Sequence, residues 1–174
     1  MSDAADRKHA LDQQTFDAWP PSLRTLFDGT SLTEKMGFTA SLMFVDANGD
    51  IRTSLLGLGE LYADDARTLY VALWPQSRAA RRFAEHGDAG GRAALSFVLD
   101  DAFYQLRLRM MPLPATNGST LACFAGTLER GELQRVGYAH LTSGITFELG
   151  VDRDTVLARW QTQIDELKRA AGRA

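Results

Sequence analysis

The pair Asn48-Gly49, set between two strand-like runs, constrains this chain more than any other feature. Asn-Gly reaches the positive φ angles that a tight hairpin requires, so residues 38–45 and 51–56 are expected to be antiparallel strands joined over Ala47 to Asp50. Further runs repeat the pattern. Residues 69–74 form an apolar stretch of buried-strand length that ends at Pro75, and residues 93–99 and 103–111 read as a second hairpin turning at Asp100-Asp101. Residues 120–129 and 144–149 are expected to be strands, and 133–138 reads equally as short helix or strand.

Helices fill the remainder. Phe16, Trp19, Leu23, Leu26 and Phe27 recur at roughly helical spacing over 14–28, and Pro20-Pro21 belongs in a first turn, so a short helix is expected from Pro20 to Gly29 with a further turn after Ser31. Ser77 is a good N-cap for a crossover helix running to Gly87. Asp152 caps an amphipathic C-terminal helix over 152–170, whose stripe is Val156, Leu157, Trp160, Ile164 and Leu167. Many short strands with one crossover helix indicate a mainly β fold, an antiparallel barrel with peripheral helices. The expected division is an N-terminal segment 1–36 belonging to the same domain, a barrel over 37–149 and the C-terminal helix over 150–174; the polar first dozen residues should fray.

Composition narrows the function classes. With 19 Lys and Arg against 22 Asp and Glu, a net charge of -3 argues against nucleic acid and anionic membranes as partners. Cys123 is the single cysteine, which excludes an intrachain disulfide framework and a Cys-rich zinc site. His9, His86 and His140 lie far apart, so no metal site is expected. Without a signal-peptide run or a stretch of ~20 apolar residues, a cytoplasmic protein is expected.

The chemistry concentrates where residues 69–74 run into the Ser77 helix. Arg78, Arg81 and Arg82 crowd its first turns, where free N–H groups and the helix dipole favour an anion and oppose cations. A bound anion resolves that conflict; pairing with surface acids, or exposure to water, is the plainer reading for any one of the three. Arg52, on the first hairpin, is placed to aim at the same spot. On the 103–111 strand, Phe103, Gln105, Arg107 and Arg109 share one face. That face reads as a solvated exterior, or as a place where Gln105 or Arg107 lines a cleft at a subunit interface. Gly57-Leu58-Gly59-Glu60 lacks the third glycine of a dinucleotide fingerprint and reads as a bulge or turn. No nucleophile elbow surrounds Ser143-Gly144, and Trp74 and Trp160 read as core or interface aromatics.

In order across 37–149, the first hairpin with Arg52, the Ser77-Arg78-Ala79 turn and the strand opening Arg92-Ala93-Ala94-Leu95 resemble the FMN-binding split β-barrel superfamily typified by pyridoxamine 5'-phosphate oxidase. The resemblance implies an antiparallel split β-barrel of Greek-key type with about six strands, FMN as cofactor, and a homodimer whose interface builds two cofactor sites. It places Arg52, Ser77 and Arg78 on the flavin phosphate; Arg81, three residues beyond Arg78 on the same helix face, is expected to give secondary support, and Gln105, from the strand-face reading, is a further candidate cofactor contact. The family's lysines fall at Ala79 and Gly57 here. The implied activity is that of an oxidoreductase of unknown substrate, with no catalytic residue assigned. The alternative is a degenerate barrel that binds haem or a deazaflavin, or a non-catalytic dimeric binding or stress module.

Overall fold

The computed structural model describes residues 11–172. Eight strands within this range form one curled antiparallel sheet: β1 (Leu11–Phe16), β2 (Ala40–Val45), β3 (Ile51–Leu56), β4 (Leu61–Tyr62), β5 (Thr68–Leu73), β6 (Gly91–Leu99), β7 (Ala102–Pro112) and β8 (Ala122–Val136). Their order is β3-β2-β6-β7-β8-β5-β4, with β1 also pairing with β8. Helices α1 (Pro21–Leu26), α2 (Arg78–His86) and α3 (Arg153–Ala170) flank this half-barrel.

The first hairpin forms in the expected place, and its loop is looser than a two-residue turn. Val45 pairs with Ile51, and only Gly49 takes a positive φ (86°). Asp46 organises the loop by accepting from the N–H groups of Asn48 (2.9 Å) and Asp50 (3.1 Å). At the second hairpin the tight two-residue form does appear. Leu99 pairs with Ala102, and Asp100 (φ 49°) and Asp101 (φ 62°) both adopt the left-handed conformation that aspartate tolerates.

Three elements depart from expectation. Phe16 belongs to a strand and not to a helical stripe, because β1 pairs with the far end of β8 and lays the Phe16 ring over Gly131; a Cβ on that glycine would stand 2.0 Å from the ring. Phe16 also meets Tyr104 edge-on at 6.5 Å. Residues 120–129 and 133–138 are largely one strand, β8, bent by a bulge where Arg107 faces Arg130 and Leu108 faces Leu128, leaving Glu129 over. The strand expected at 144–149 is irregular and mostly exposed chain. Residues 1–10 of the segment expected to fray lie outside the described range; Leu11 and Asp12 already pair with β8.

The core lies within the curl. Strand β7 alternates as predicted, burying Tyr104, Leu106, Leu108 and Met110 while Gln105 and Arg107 stay exposed. Helix α2 carries the chain from β5 to β6, which are not neighbours, and seals one end with Phe83, held between Phe44 and Phe124 at 5.6 Å from each. Helix α3 buries Val156, Trp160, Ile164 and Leu167, four of the five predicted stripe residues, together with Gln163 and Glu166; Leu157 is only partly covered.

Candidate functional site

The site is built around the first turn of α2. Ser77 caps the helix, its Oγ accepting from the Ala80 N–H at 3.1 Å. The cap leaves the N–H groups of Arg78 and Ala79 without helical acceptors, as at any helix start. Two cavities flank this turn. One, of about 340 Å³, lies between the first-hairpin loop and the exposed face of α2, and Arg52, Arg78, Arg81 and Arg82 line it together with Asp46, Asn48 and Glu85. The other, of about 200 Å³, lies between β3, the end of β5 and α3, and Ser77, Ser54, Glu60, Trp74 and Gln163 contribute to its walls.

The structure therefore gathers Arg52, Arg78 and Arg81 in one groove and puts Ser77 at the adjoining cavity. It does not bring Gln105 to them. Gln105 lies on the exposed face of β7, opposite Ser96 and Glu132.

The four arginines are not equivalent. Arg52 donates from Nε to Asp46 at 2.7 Å and from Nη2 to Asp50 at 3.2 Å. Its guanidinium holds the Asp46 carboxyl below the usual carboxylate range, mainly through that first hydrogen bond, and its own pKa is raised in return. Arg82 donates to the Val45 carbonyl (3.1 Å) and pairs with Glu85 (3.1 Å). Arg78 and Arg81 make no side-chain hydrogen bond or ion pair to any described residue. They are two undirected cations at the positive end of a helix dipole, three residues apart on one face.

A phosphate fits this arrangement through Arg78, Arg81 and the free N–H groups beneath them. Two features oppose it: Asp46 and Glu85 stand in the wall, and Arg52 is already engaged. Positions 79 and 57, where the resemblance implies lysine, are closely packed. Ala79 is buried at 1% exposure and faces the core, so its side chain does not point into the groove. Gly57 lies under Trp160, where a Cβ would meet the indole at 2.9 Å, so α3 packs against bare backbone there.

Glu60, Asp46 and Gln163 were not legible as site residues. Glu60 is part-buried and accepts from the Gly57 N–H at 2.6 Å; its burial raises its pKa, against that hydrogen bond and the more distant Arg159. Gln163 is 5% exposed, and its Oε1 is sealed from solvent with no partner. Such a buried unpaired group costs about 1–3 kcal/mol. Its signal was available: glutamine stands within the apolar stripe of α3, between Trp160 and Leu167.

No protein-family model matches the chain. Over 146 residues, 83% of this chain and 92% of the other, it is 26% identical to the uncharacterised protein YclD of Bacillus subtilis (strain 168). Solved structures similar to it include HupZ of Group A Streptococcus (TM-score 0.49, 13% identity, 75% of this chain and 99% of that one). Another is an FMN-binding protein from Syntrophomonas wolfei (TM-score 0.44, 13% identity, 62% and 85%). A third is a Clostridium acetobutylicum protein related to general stress protein 26, of the pyridoxinephosphate oxidase family (TM-score 0.44, 16% identity, 71% and 97%).

Proposed function

We propose that the chain is an FMN-binding protein of the pyridoxamine 5'-phosphate oxidase-like split-barrel type, acting as an oxidoreductase in the cytoplasm. The observation that carries this reading is the pair of undirected guanidinium groups, Arg78 and Arg81, over the capped N-terminus of α2. FMN supplies the redox chemistry when bound. The chain contributes the phosphate anchor, with Ser77 fixing the helix start, Arg78 and Arg81 holding the dianion and Arg52 joining them by exchanging its hold on Asp46. A homodimer completes the site, with Gln105 reaching it from the partner's exposed β7 face.

Titration of FMN and riboflavin into wild type and Arg78→Ala tests the anchor. Charge-assisted hydrogen bonds are worth ~1.5–3 kcal/mol, so the substitution weakens FMN roughly 10- to 150-fold. Riboflavin, without the phosphate, responds little. Stability of the unliganded protein shifts by under about 0.5 kcal/mol, because Arg78 lies outside the core. Equal FMN affinity in both proteins overturns the assignment.

The engagement of Arg52 by Asp46 and Asp50 favours a second reading, a degenerate barrel that takes a different anionic group such as haem or a deazaflavin, or that serves only as a dimeric binding module. In that case purified protein shows no flavin absorption and does not take up FMN.

A further inference from the structure

Both partners of Arg52 lie within its own hairpin loop. Its Nε donates to Asp46 Oδ2 at 2.7 Å and its Nη2 to Asp50 Oδ2 at 3.2 Å. The two-donor edge that an arginine turns toward a phosphate is thus filled by oxygens of two carboxylates. The loop keeps its shape by other means. The Asp46 N–H donates to the Asp50 carbonyl at 2.9 Å and the Gly49 N–H to the Asp46 carbonyl at 3.1 Å. The second carboxylate oxygen of Asp46, Oδ1, accepts from the Asn48 and Asp50 N–H groups, which fixes the carboxylate and leaves Oδ2 facing the guanidinium. Arg82 differs: it reaches the Val45 carbonyl, 37 residues away in sequence, and so ties α2 to the end of β2. Releasing Arg52 breaks only contacts inside the loop, and Arg52 and Asp46 both line the groove that Arg78 and Arg81 share.

We propose that Asp46, assisted by Asp50, is an internal anion that occupies Arg52 in the unliganded chain, that a phosphate-bearing ligand enters the groove by displacing it, and that Asp46 thereby sets the affinity of the groove for anions. This deepens the flavin-phosphate reading and rests on it for the identity of the ligand. Protonation does not open the contact near neutral pH, because the Arg52 hydrogen bond holds the Asp46 carboxyl below the usual carboxylate range. A competing anion does. A dianion between Arg52, Arg78 and Arg81 meets three guanidinium groups, whereas the Asp46 carboxylate pairs with one, so the exchange is favourable once the ligand brings its charge to all three. The loop is therefore a self-inhibiting contact, closed until an anion arrives and released without unpicking the sheet.

Two titrations of wild type, Asp46→Asn, Arg52→Ala and the double variant test the displacement: inorganic phosphate at pH 7, followed by NMR of arginine Nε–H and backbone amide signals, and FMN, followed by fluorescence quenching. Asparagine keeps a carbonyl oxygen for the Asn48 and Asp50 N–H groups and removes the anionic partner of Arg52. Expected are about fivefold tighter binding of both probes by Asp46→Asn, the scale of a partly exposed ion pair, and no gain where Arg52 is already alanine. In the unaltered protein the Arg52 Nε–H signal shifts as phosphate is added, while the Asn48 and Asp50 amides keep their protection from exchange; this arm decides the matter even where Asp46→Asn fails to fold. Equal or weaker phosphate binding by Asp46→Asn, a gain that persists in the Arg52→Ala background, or an Arg52 signal that stays still while those of Arg78 and Arg81 move overturns the proposal. Tighter phosphate binding by Asp46→Asn with no uptake of FMN keeps the internal anion and rejects the flavin reading. FMN binding that is lost in Arg78→Ala yet unchanged in Asp46→Asn does the reverse.

Discussion

Replacing Gly59 by alanine isolates the contact that fixes α3 on the sheet. A Cβ at 59 would lie 2.4 Å from both Cγ and Cδ1 of Trp160, about 1 Å inside ordinary van der Waals contact. Those atoms are the root of the indole, which no rotamer change of a distant tip can move aside. Trp160 is 5% exposed, and its other edge already covers Gly57, so the ring must shift as a body and take α3 with it. Overpacking of a filled core costs roughly 1–3 kcal/mol, and the immobile partner puts this case near about 3. For a chain of this length each kcal/mol lowers the melting midpoint by about 2–4 °C, giving a loss of about 6–12 °C. Thermal and urea denaturation followed by circular dichroism measure it. The contact argument also requires coupling: in a Trp160→Ala background, which removes both Cγ and Cδ1, the same change should cost under about 1 kcal/mol. A Gly59→Ala protein within about 0.5 kcal/mol of wild type, or an equal cost in both backgrounds, refutes the reasoning.

Two further predictions concern titration and reactivity. Burial raises the Glu60 pKa, so the folded state binds the proton more tightly than the unfolded chain, and stability present at acid pH is lost as pH rises through the folded value. Glu60→Gln keeps an acceptor for the Gly57 N–H and is expected to be more stable than wild type at neutral pH but not at pH 4, by urea denaturation at the two pH values; an equal difference at both contradicts the assignment. The Cys123 thiol, pushed up to about 11 by burial and then by Glu166, should react with a disulfide reagent only after denaturation; rapid labelling of the native protein would show that it is accessible.

What was legible in the sequence was what local chemistry fixes. Gly49 required a loop between two strands, Ser77 and Asp152 marked helix starts with their own oxygen atoms, and the period-two pattern of residues 103–111 divided β7 into its two faces. The grouping of Arg78 with Arg81 followed from helical spacing alone. Long-range pairing was beyond that reach. Phe16 reads as part of a helical stripe until β8 presents Gly131 beneath it, and residues 144–149 carry a strand's composition with no strand partner. The site divides along the same line: the sequence nominated Arg52 as a phosphate ligand, but only the folded loop brings Asp46 within 2.7 Å of it. Likewise Gly57 looks like a lost lysine in the sequence, whereas in the fold it is the seat of Trp160, and the helix that places that indole also carries Gln163 to the cavity. Backbone propensity and spacing act over a few residues and are written into the chain locally; contacts between segments a hundred residues apart depend on which surfaces the curled sheet leaves to be covered.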